Sequence, residues 1–133
     1  MFLFDTDTIT NIVKPRPSQN LLARLANVSK DQQYISTITI SEIVYGAEKS
    51  QRPSYHLNNL ETILLPAVNI VGFDAKAAYV CGSISAELEK RGTPLDLADL
   101  EIASIAIAND FVLISNNVRH FKRIPTLKFE SWL

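Results

Sequence analysis

The feature that most constrains this chain is an alternation. Short apolar runs rich in β-branched and aromatic residues recur between segments of helical periodicity. Phe2-Leu3-Phe4, Tyr34–Ile38, Val68–Val71 and Phe111–Ile114 have the length and composition of buried strands, and Leu127–Phe129 reads as a last edge strand. Asp5-Thr6-Asp7-Thr8 reads as the start of a short helix to Val13, stopped by Pro15 and Pro17. Leu21, Leu22, Leu25 and Val28 sit at helical spacing and define a helix over Ser18–Val28. Thr39-x-x-Glu42 matches a capping box opening a helix through Glu48. Pro53 breaks that helix, another runs to about Leu64, and Pro66 ends it. Asp74 can cap a long helix with the apolar stripe Ala77, Cys81, Ile84 and Leu88, closed by Gly92. Asp96 begins a further helix whose inner side is Ile102, Ala103, Ala106 and Ile107. Strands that alternate with helices imply a sheet that is mostly parallel and covered on both faces. The expected fold class is therefore α/β, three layers with a mostly parallel central sheet flanked by helices.

Size and charge narrow the function classes. A chain of 133 residues is too short to divide into two well-buried cores, so residues 1–133 are expected to form a single domain. Hydrophobic residues make up 47% and charged residues 20%, the balance of a soluble globular protein. No apolar run approaches the ~18 residues of a membrane span. Met1 leads into Phe2-Leu3-Phe4 without a basic region or a small-residue cleavage site, so no secretory signal is expected. Cys81 is the only cysteine, which excludes an internal disulfide and a cysteine-based zinc site and leaves it as inert packing. The expected compartment is the cytoplasm. The net charge of −1 argues against a broad basic surface for nucleic acid, so any such contact must be local. Arg119, Lys122 and Arg123 follow Asn117 closely and are candidate contacts for nucleic-acid phosphates, whereas Lys49 with Arg52 and Lys90 with Arg91 read as solvated helix ends.

Ligand sites in parallel α/β sheets form beyond the carboxyl ends of the strands. Asp5, the Thr39–Glu42 turn and Asn117 each follow an expected strand, and Asp99 joins them if its helix starts at the same edge. Each position has an ordinary explanation. Asp5 can satisfy helix-start N–H groups, Glu42 can belong to the capping box, Asp99 can be the third residue of a helix capped by Asp96, and Asn117 can be a turn residue. Asp99, however, lies on the inward side with Ile102, Ala103 and Ala106, where a carboxylate needs a partner. Brought together, these groups repel one another unless a cation sits among them. Hard oxygen donors of this kind suit Mg²⁺ or Mn²⁺, which points to a metal-dependent nuclease. Asn117 brings no charge and can ligate weakly, or position a water or a phosphate. His56 and His120 are too far apart for a zinc pair, and His120 reads as structural or loop-exposed rather than as a base. Trp132 reads as a core plug, and Gly46 within a helix calls for close packing or open space beside Glu42.

The ordered set of motifs resembles a known family over nearly the whole chain. The pieces are Phe2-Leu3-Phe4-Asp5-Thr6-Asp7, then Ile40-Ser41-Glu42-Ile43-Val44-Tyr45-Gly46. Gly92-Thr93-Pro94-Leu95-Asp96-Leu97-Ala98-Asp99 follows, with Ile102-Ala103-Ser104-Ile105-Ala106. Leu113-Ile114-Ser115-Asn116-Asn117-Val118-Arg119-His120-Phe121, Ile124-Pro125-Thr126-Leu127 and Trp132 complete the set. The chain resembles the PIN-domain ribonuclease toxins, the VapC type of toxin–antitoxin modules. The resemblance implies that Asp5, Glu42 and Asp99 bind metal and that Asn117 occupies a fourth position, filled in the family by Asp or Asn. It implies a Mg²⁺-dependent endoribonuclease acting on structured RNA such as tRNA or ribosomal RNA, and a homodimer. It also implies a tightly bound small DNA-binding antitoxin that blocks the acidic site and links the toxin indirectly to DNA. Where the family opening is usually Asp-Thr-Asn, this chain has Asp7, an accessory carboxylate; Asp96 is another that the family pattern does not require.

Two rival readings accompany this one. Asp5-Thr6-Asp7-Thr8 after an apolar strand also looks like the start of a haloacid-dehalogenase-type phosphatase, with Asp5 as nucleophile and Asp7 as acid/base. That family needs a later acidic pair after a strand and a lysine, whereas Asp96 and Asp99 open a helix. A catalytically inactive PIN-like module, kept for antitoxin binding and operon repression, finds support only in the uncharged Asn117.

Overall fold

The computed structural model describes residues 1–133. Five short strands, β1 (Phe2–Phe4), β2 (Gln33–Ser36), β3 (Asn69–Val71), β4 (Val112–Ile114) and β5 (Phe129–Glu130), form one sheet in the order β3-β2-β1-β4-β5. Every neighbouring pair is parallel, so the sheet is wholly parallel. The helices are α1 (Thr6–Asn11), α2 (Gln19–Leu25), α3 (Thr37–Lys49), α4 (Pro53–Asn59), α5 (Leu65–Ala67), α6 (Ala75–Lys90), α7 (Leu97–Ala108) and α8 (Val118–Phe121).

The period-two pleat of the strands divides the interior into two cores. Leu3 and Leu113, paired in register, belong to the core built with Ala77, Cys81 and Leu88 of α6 and the buried residues of α7. Phe4, Ile35 and Ile114 point the other way, into a core with Ile9 of α1, Leu21 of α2, and Ile40, Ile43 and Val44 of α3. Trp132 closes this second core, its ring 5.0 Å from that of Phe2 and 5.6 Å from that of Phe4. Its indole N–H donates to Glu130 at 2.9 Å, so the ring is buried without orphaning its polar atom. Cys81 lies buried in the first core.

Three local readings change. First, β2 ends at Ser36, not Ile38, and Ser36 is the N-cap of α3: its Oγ accepts the Thr39 N–H at 3.1 Å. The capping box at Thr39–Glu42 therefore does not form, and Glu42 lies more than a turn inside α3 with its carboxylate released from capping. Second, the helix that Pro66 ends is irregular and stops at Ala67, three residues beyond the expected Leu64. The α4 helix runs through a π-helical turn at Leu60–Leu64, where the Leu65 N–H bonds the Leu60 carbonyl, and Pro66 sits in α5 just beyond. A wide turn shifts the bonding ladder, and a proline near the start of the next segment loses little because that N–H has no obligatory partner. Third, the last strand is Phe129–Glu130, and the residues after β4 form α8, a helix not foreseen in the sequence.

Gly92 does close α6. At φ +69° it allows the Thr93 N–H to reach the Leu88 carbonyl at 2.9 Å and its own N–H to reach that of Glu89 at 3.0 Å. That turn leads into the loop before α7 and so sets where α7 begins.

Candidate active site

The strands β1, β2 and β4 end at one edge of the sheet, and the first turn of α7 meets them there. Asp5 follows β1 and is held on three sides. Its N–H donates to the Ile114 carbonyl at 2.9 Å, Oδ1 accepts the Thr6 N–H at 2.8 Å, and Oδ2 accepts the Ser115 hydroxyl at 2.7 Å. The residue is only 7% exposed. Burial pushes its carboxyl up to about 6; the hydrogen bonds from Ser115 and Thr6 oppose the rise, and the nearby charges of Asp7 and Asp99 add to it.

Glu42 reaches the same place from α3. Its Oε1 accepts the Thr6 hydroxyl at 2.6 Å, and that hydroxyl lies 3.2 Å from Thr39 Oγ. One threonine at the start of α1 thus links the elements that carry Asp5 and Glu42. Asp99, third residue of α7, has its Oδ2 3.2 Å from Nδ1 of His120 on α8. The Asn117 side-chain amide lies 2.7 Å from the same ring nitrogen. The cleft between these groups is lined by Asp5, Thr6, Asp7, Glu42, Asp99, Asn116 and Asn117.

Four carboxylates therefore share one cleft wall with no lysine or arginine among them. As they stand, no three acidic or imidazole groups are disposed to hold a metal ion. Hydrogen bonds from Thr6, Ser115 and His120 hold the carboxylates instead. The donor set is nonetheless that of a hard divalent cation: oxygen atoms throughout, negative charge in excess, and one buried carboxyl whose ionisation its acidic neighbours oppose.

The other sequence candidates fall outside this cleft wall. Asp96 is the N-cap residue of α7, but its side chain makes no capping bond. Arg119 and Lys122 are exposed on and just after α8, and Arg123 donates to the Pro94 carbonyl at 3.0 Å, tying the end of α8 to the loop before α7. Four residues join the site that the sequence reading did not select for it: Thr6, Ser115, Asn116 and His120.

A second cleft of about 490 Å³ lies between α1, α3 and α4, with Val13, Ile43, Ala47 and Leu64 among its lining residues. It shares Thr6 and Glu42 with the acidic cleft. Gly46 borders it with open space where a side chain would stand, which is the second of the two explanations its position called for.

Residues 2–127 match the family model described as the PIN domain. The chain belongs to the PIN-domain family. Among curated proteins, this PIN domain is 35% identical over 131 residues to the tRNA(fMet)-specific endonuclease VapC of Salmonella typhimurium, covering 98% of this chain and 97% of that one. It is 34% identical over 132 residues to ribonuclease VapC2 of Haemophilus influenzae, covering 99% and 98%. Among solved structures, VapBC2 from Rickettsia felis, bound to a DNA fragment from its promoter, matches with a TM-score of 0.90 at 32% identity over 99% of this chain and 98% of that one. These place the chain among PIN domains of the VapC type. No helix is long and apolar enough to cross a membrane. The phosphatase reading of Asp5 and Asp7 is dropped: a PIN domain accounts for residues 2–127, and an Asp5 nucleophile would have to be freed from two hydrogen bonds in a buried setting.

Proposed function

We propose that this chain is the toxin of a VapBC-type module and a metal-dependent endoribonuclease that hydrolyses phosphodiester bonds in structured RNA, tRNA or ribosomal RNA, in the cytoplasm. The observation that carries the reading is the convergence of Asp5, Asp7, Glu42 and Asp99 on one cleft with Asn117 at its edge. Full-length similarity to proteins named as ribonucleases supports the choice of RNA. Asp5, Glu42 and Asp99 would hold Mg²⁺, or Mn²⁺ in its place. The chemistry that such an ion would supply is acidification of a water molecule and neutralisation of charge on the scissile phosphate. The chain's own residues prepare the site: Ser115 and the Thr6 N–H fix the Asp5 carboxylate, and the Thr6 hydroxyl fixes Glu42. Asn117, uncharged, orients water or an RNA phosphate. Arg119 and Lys122 on the neighbouring exposed surface hold flanking phosphates, while Arg123 serves mainly to position that segment.

The partner is a small DNA-binding antitoxin, through which the toxin, as a homodimer, meets operator DNA. The apolar cleft beside the site supports this part. A segment laid along Val13, Ile43 and Leu64 would run onto Thr6 and Glu42 and cover the carboxylates.

The test is cleavage of total tRNA and ribosomal RNA by purified protein, with EDTA and with Mg²⁺ restored. EDTA should stop cleavage and Mg²⁺ should restore it. The Asp99→Asn protein, folded as judged by circular dichroism, should lose at least ~100-fold in rate. Undiminished metal-dependent cleavage by Asp99→Asn rejects the assignment. Absence of cleavage by the parent protein at any Mg²⁺ or Mn²⁺ concentration would favour an inactive module, the reading to which the uncharged Asn117 lends some support.

A further inference from the structure

We propose that His120 is the positioning residue of the acidic site, a single imidazole nitrogen that sets the carboxylate of Asp99 and the amide of Asn117 for the metal. The inference rests on the metal-site reading above and extends it to a side chain outside the cleft wall. Nδ1 of His120 lies 3.2 Å from Asp99 Oδ2 and 2.7 Å from the Asn117 side-chain amide. A carboxylate can only accept, so Nδ1 must carry its hydrogen to bond Asp99. An amide –NH₂ cannot donate to that same protonated nitrogen. The amide stands with Nδ2 toward the ring; its O and N are set by the hydrogen-bond network, and a donor Nδ1–H requires the exchanged orientation, with Oδ1 facing the ring. One N–H then faces two oxygens that arrive from different elements, α7 and the β4–α8 turn.

Three consequences follow from the geometry. Asp99 Oδ2 is occupied, and no protein donor bonds its Oδ1, so the carboxylate has one oxygen fixed and one available. Asn117 and His120 are three residues apart at the start of α8, so the helix itself sets their spacing. Phe121, the next residue, is fully buried in the first core and anchors the helix that carries His120. Outer partners of this kind orient metal ligands, and removing them typically weakens metal binding by roughly 10–100-fold. His120 contacts two residues of the cleft wall, Asp99 and Asn117, but does not itself line the cleft, so its role is positional rather than catalytic.

The test compares His120→Ala, His120→Asn and His120→Gln with the parent protein. The readouts are Mn²⁺ binding, followed by electron paramagnetic resonance of the free ion, and kcat and KM for RNA. An asparagine side-chain nitrogen is attached at the same atom as Nδ1 and can replace its donor; the glutamine nitrogen is one bond further out and cannot. The expected result is a Kd for Mn²⁺ raised about 10–100-fold in the Ala and Gln variants, mostly restored in the Asn variant, with KM for RNA unchanged at saturating metal. If the Ala variant is too unstable to purify, the Asn–Gln contrast carries the test. Parent-like Mn²⁺ affinity in the Gln variant overturns the role of His120 while leaving the metal site intact. A parent protein that binds no Mn²⁺, indistinguishable from Asp99→Asn, overturns the metal reading and this inference with it.

Discussion

Asp5 shows how the site works against the fold that carries it. Its carboxyl rises from the ordinary 3.8 to about 6, chiefly because burial removes the charge from water. Between these two values the native state holds a proton that the unfolded chain has already released. Stability therefore falls as pH rises through that window, and the penalty is complete above it. Two units correspond to roughly 3 kcal/mol. Asp5→Asn removes the charge and keeps the hydrogen bonds: Oδ1 can still accept the Thr6 N–H, and Nδ2 can donate to Ser115 Oγ. The metal-free variant is expected to be about 1–3 kcal/mol more stable than the parent at pH 8, a gap that closes by pH 4, measured by urea unfolding at both values. A variant less stable than the parent at pH 8 would show that burial does not oppose this charge. His120 is the residue at this scale that the sequence hid. Its spacing from Asn117 was visible, but the short helix that makes the spacing meaningful was not, because four residues carry too little periodicity to announce it.

At the scale of elements, the site depends on where helices begin. Thr39-x-x-Glu42 satisfies the capping pattern as a string, yet Ser36 is the cap, three residues earlier. The competing signal was present, since Ser36 stands three residues before Thr39, but it lies inside the β-branched run Tyr34–Ile38, which hides it. Pattern alone does not rank two overlapping caps. The strand's last residue has extended backbone, and that geometry decides in favour of Ser36. The difference matters for function. With Ser36 as cap, Glu42 is carried inside α3 and turned toward Thr6. Ser36→Ala should cost about 1 kcal/mol of stability through the lost cap, with a smaller loss of RNA cleavage as the first turn of α3 frays. Loss of all activity without loss of stability would mean that Ser36 acts in the site itself. The strands were more legible than the caps. Phe2-Leu3-Phe4 and Phe111–Ile114 are apolar on both sides because both sides of the sheet are covered, and a composition of that kind survives without knowledge of register. Around Pro66 the stop was legible and the path to it was not. A proline marks where a helix stops, and this one stops at Ala67, one residue on; nothing in the string reveals the π-helical turn at Leu60–Leu64.

Across the whole molecule, a parallel sheet gathers at one edge what the chain keeps far apart. Asp5 and Asp99 are separated by most of the sequence, but β1 and α7 meet that edge together, and Asn117 follows β4, the direct neighbour of β1. For Asp5, the turn before Glu42 and Asn117 that convergence follows from alternation and was readable in advance. For Asp99 it hung on where α7 begins, since no strand separates α6 from α7, and the hydrogen bonds that hold the carboxylates without a metal were not readable. The result is a fold with negative charge concentrated at one edge, which a bound cation should stabilise as a whole. A ligand present at a hundred times its Kd adds about 2.7 kcal/mol to the native state, which for a chain of this size raises Tm by roughly 5–10 °C. Saturating Mn²⁺ should therefore shift the thermal midpoint by that amount at pH 8. At pH 5 the Asp5 carboxyl, with its value near 6, is mostly protonated, so the ion must displace a proton and the shift should shrink markedly. In Asp5→Asn the shift should be small at both values. Differential scanning calorimetry at the two pH values, with Mn²⁺ and with EDTA, reads all of these directly. Equal shifts at pH 5 and pH 8, or an undiminished shift in Asp5→Asn, would show that the cation is held without Asp5 and overturn its assignment as a metal ligand.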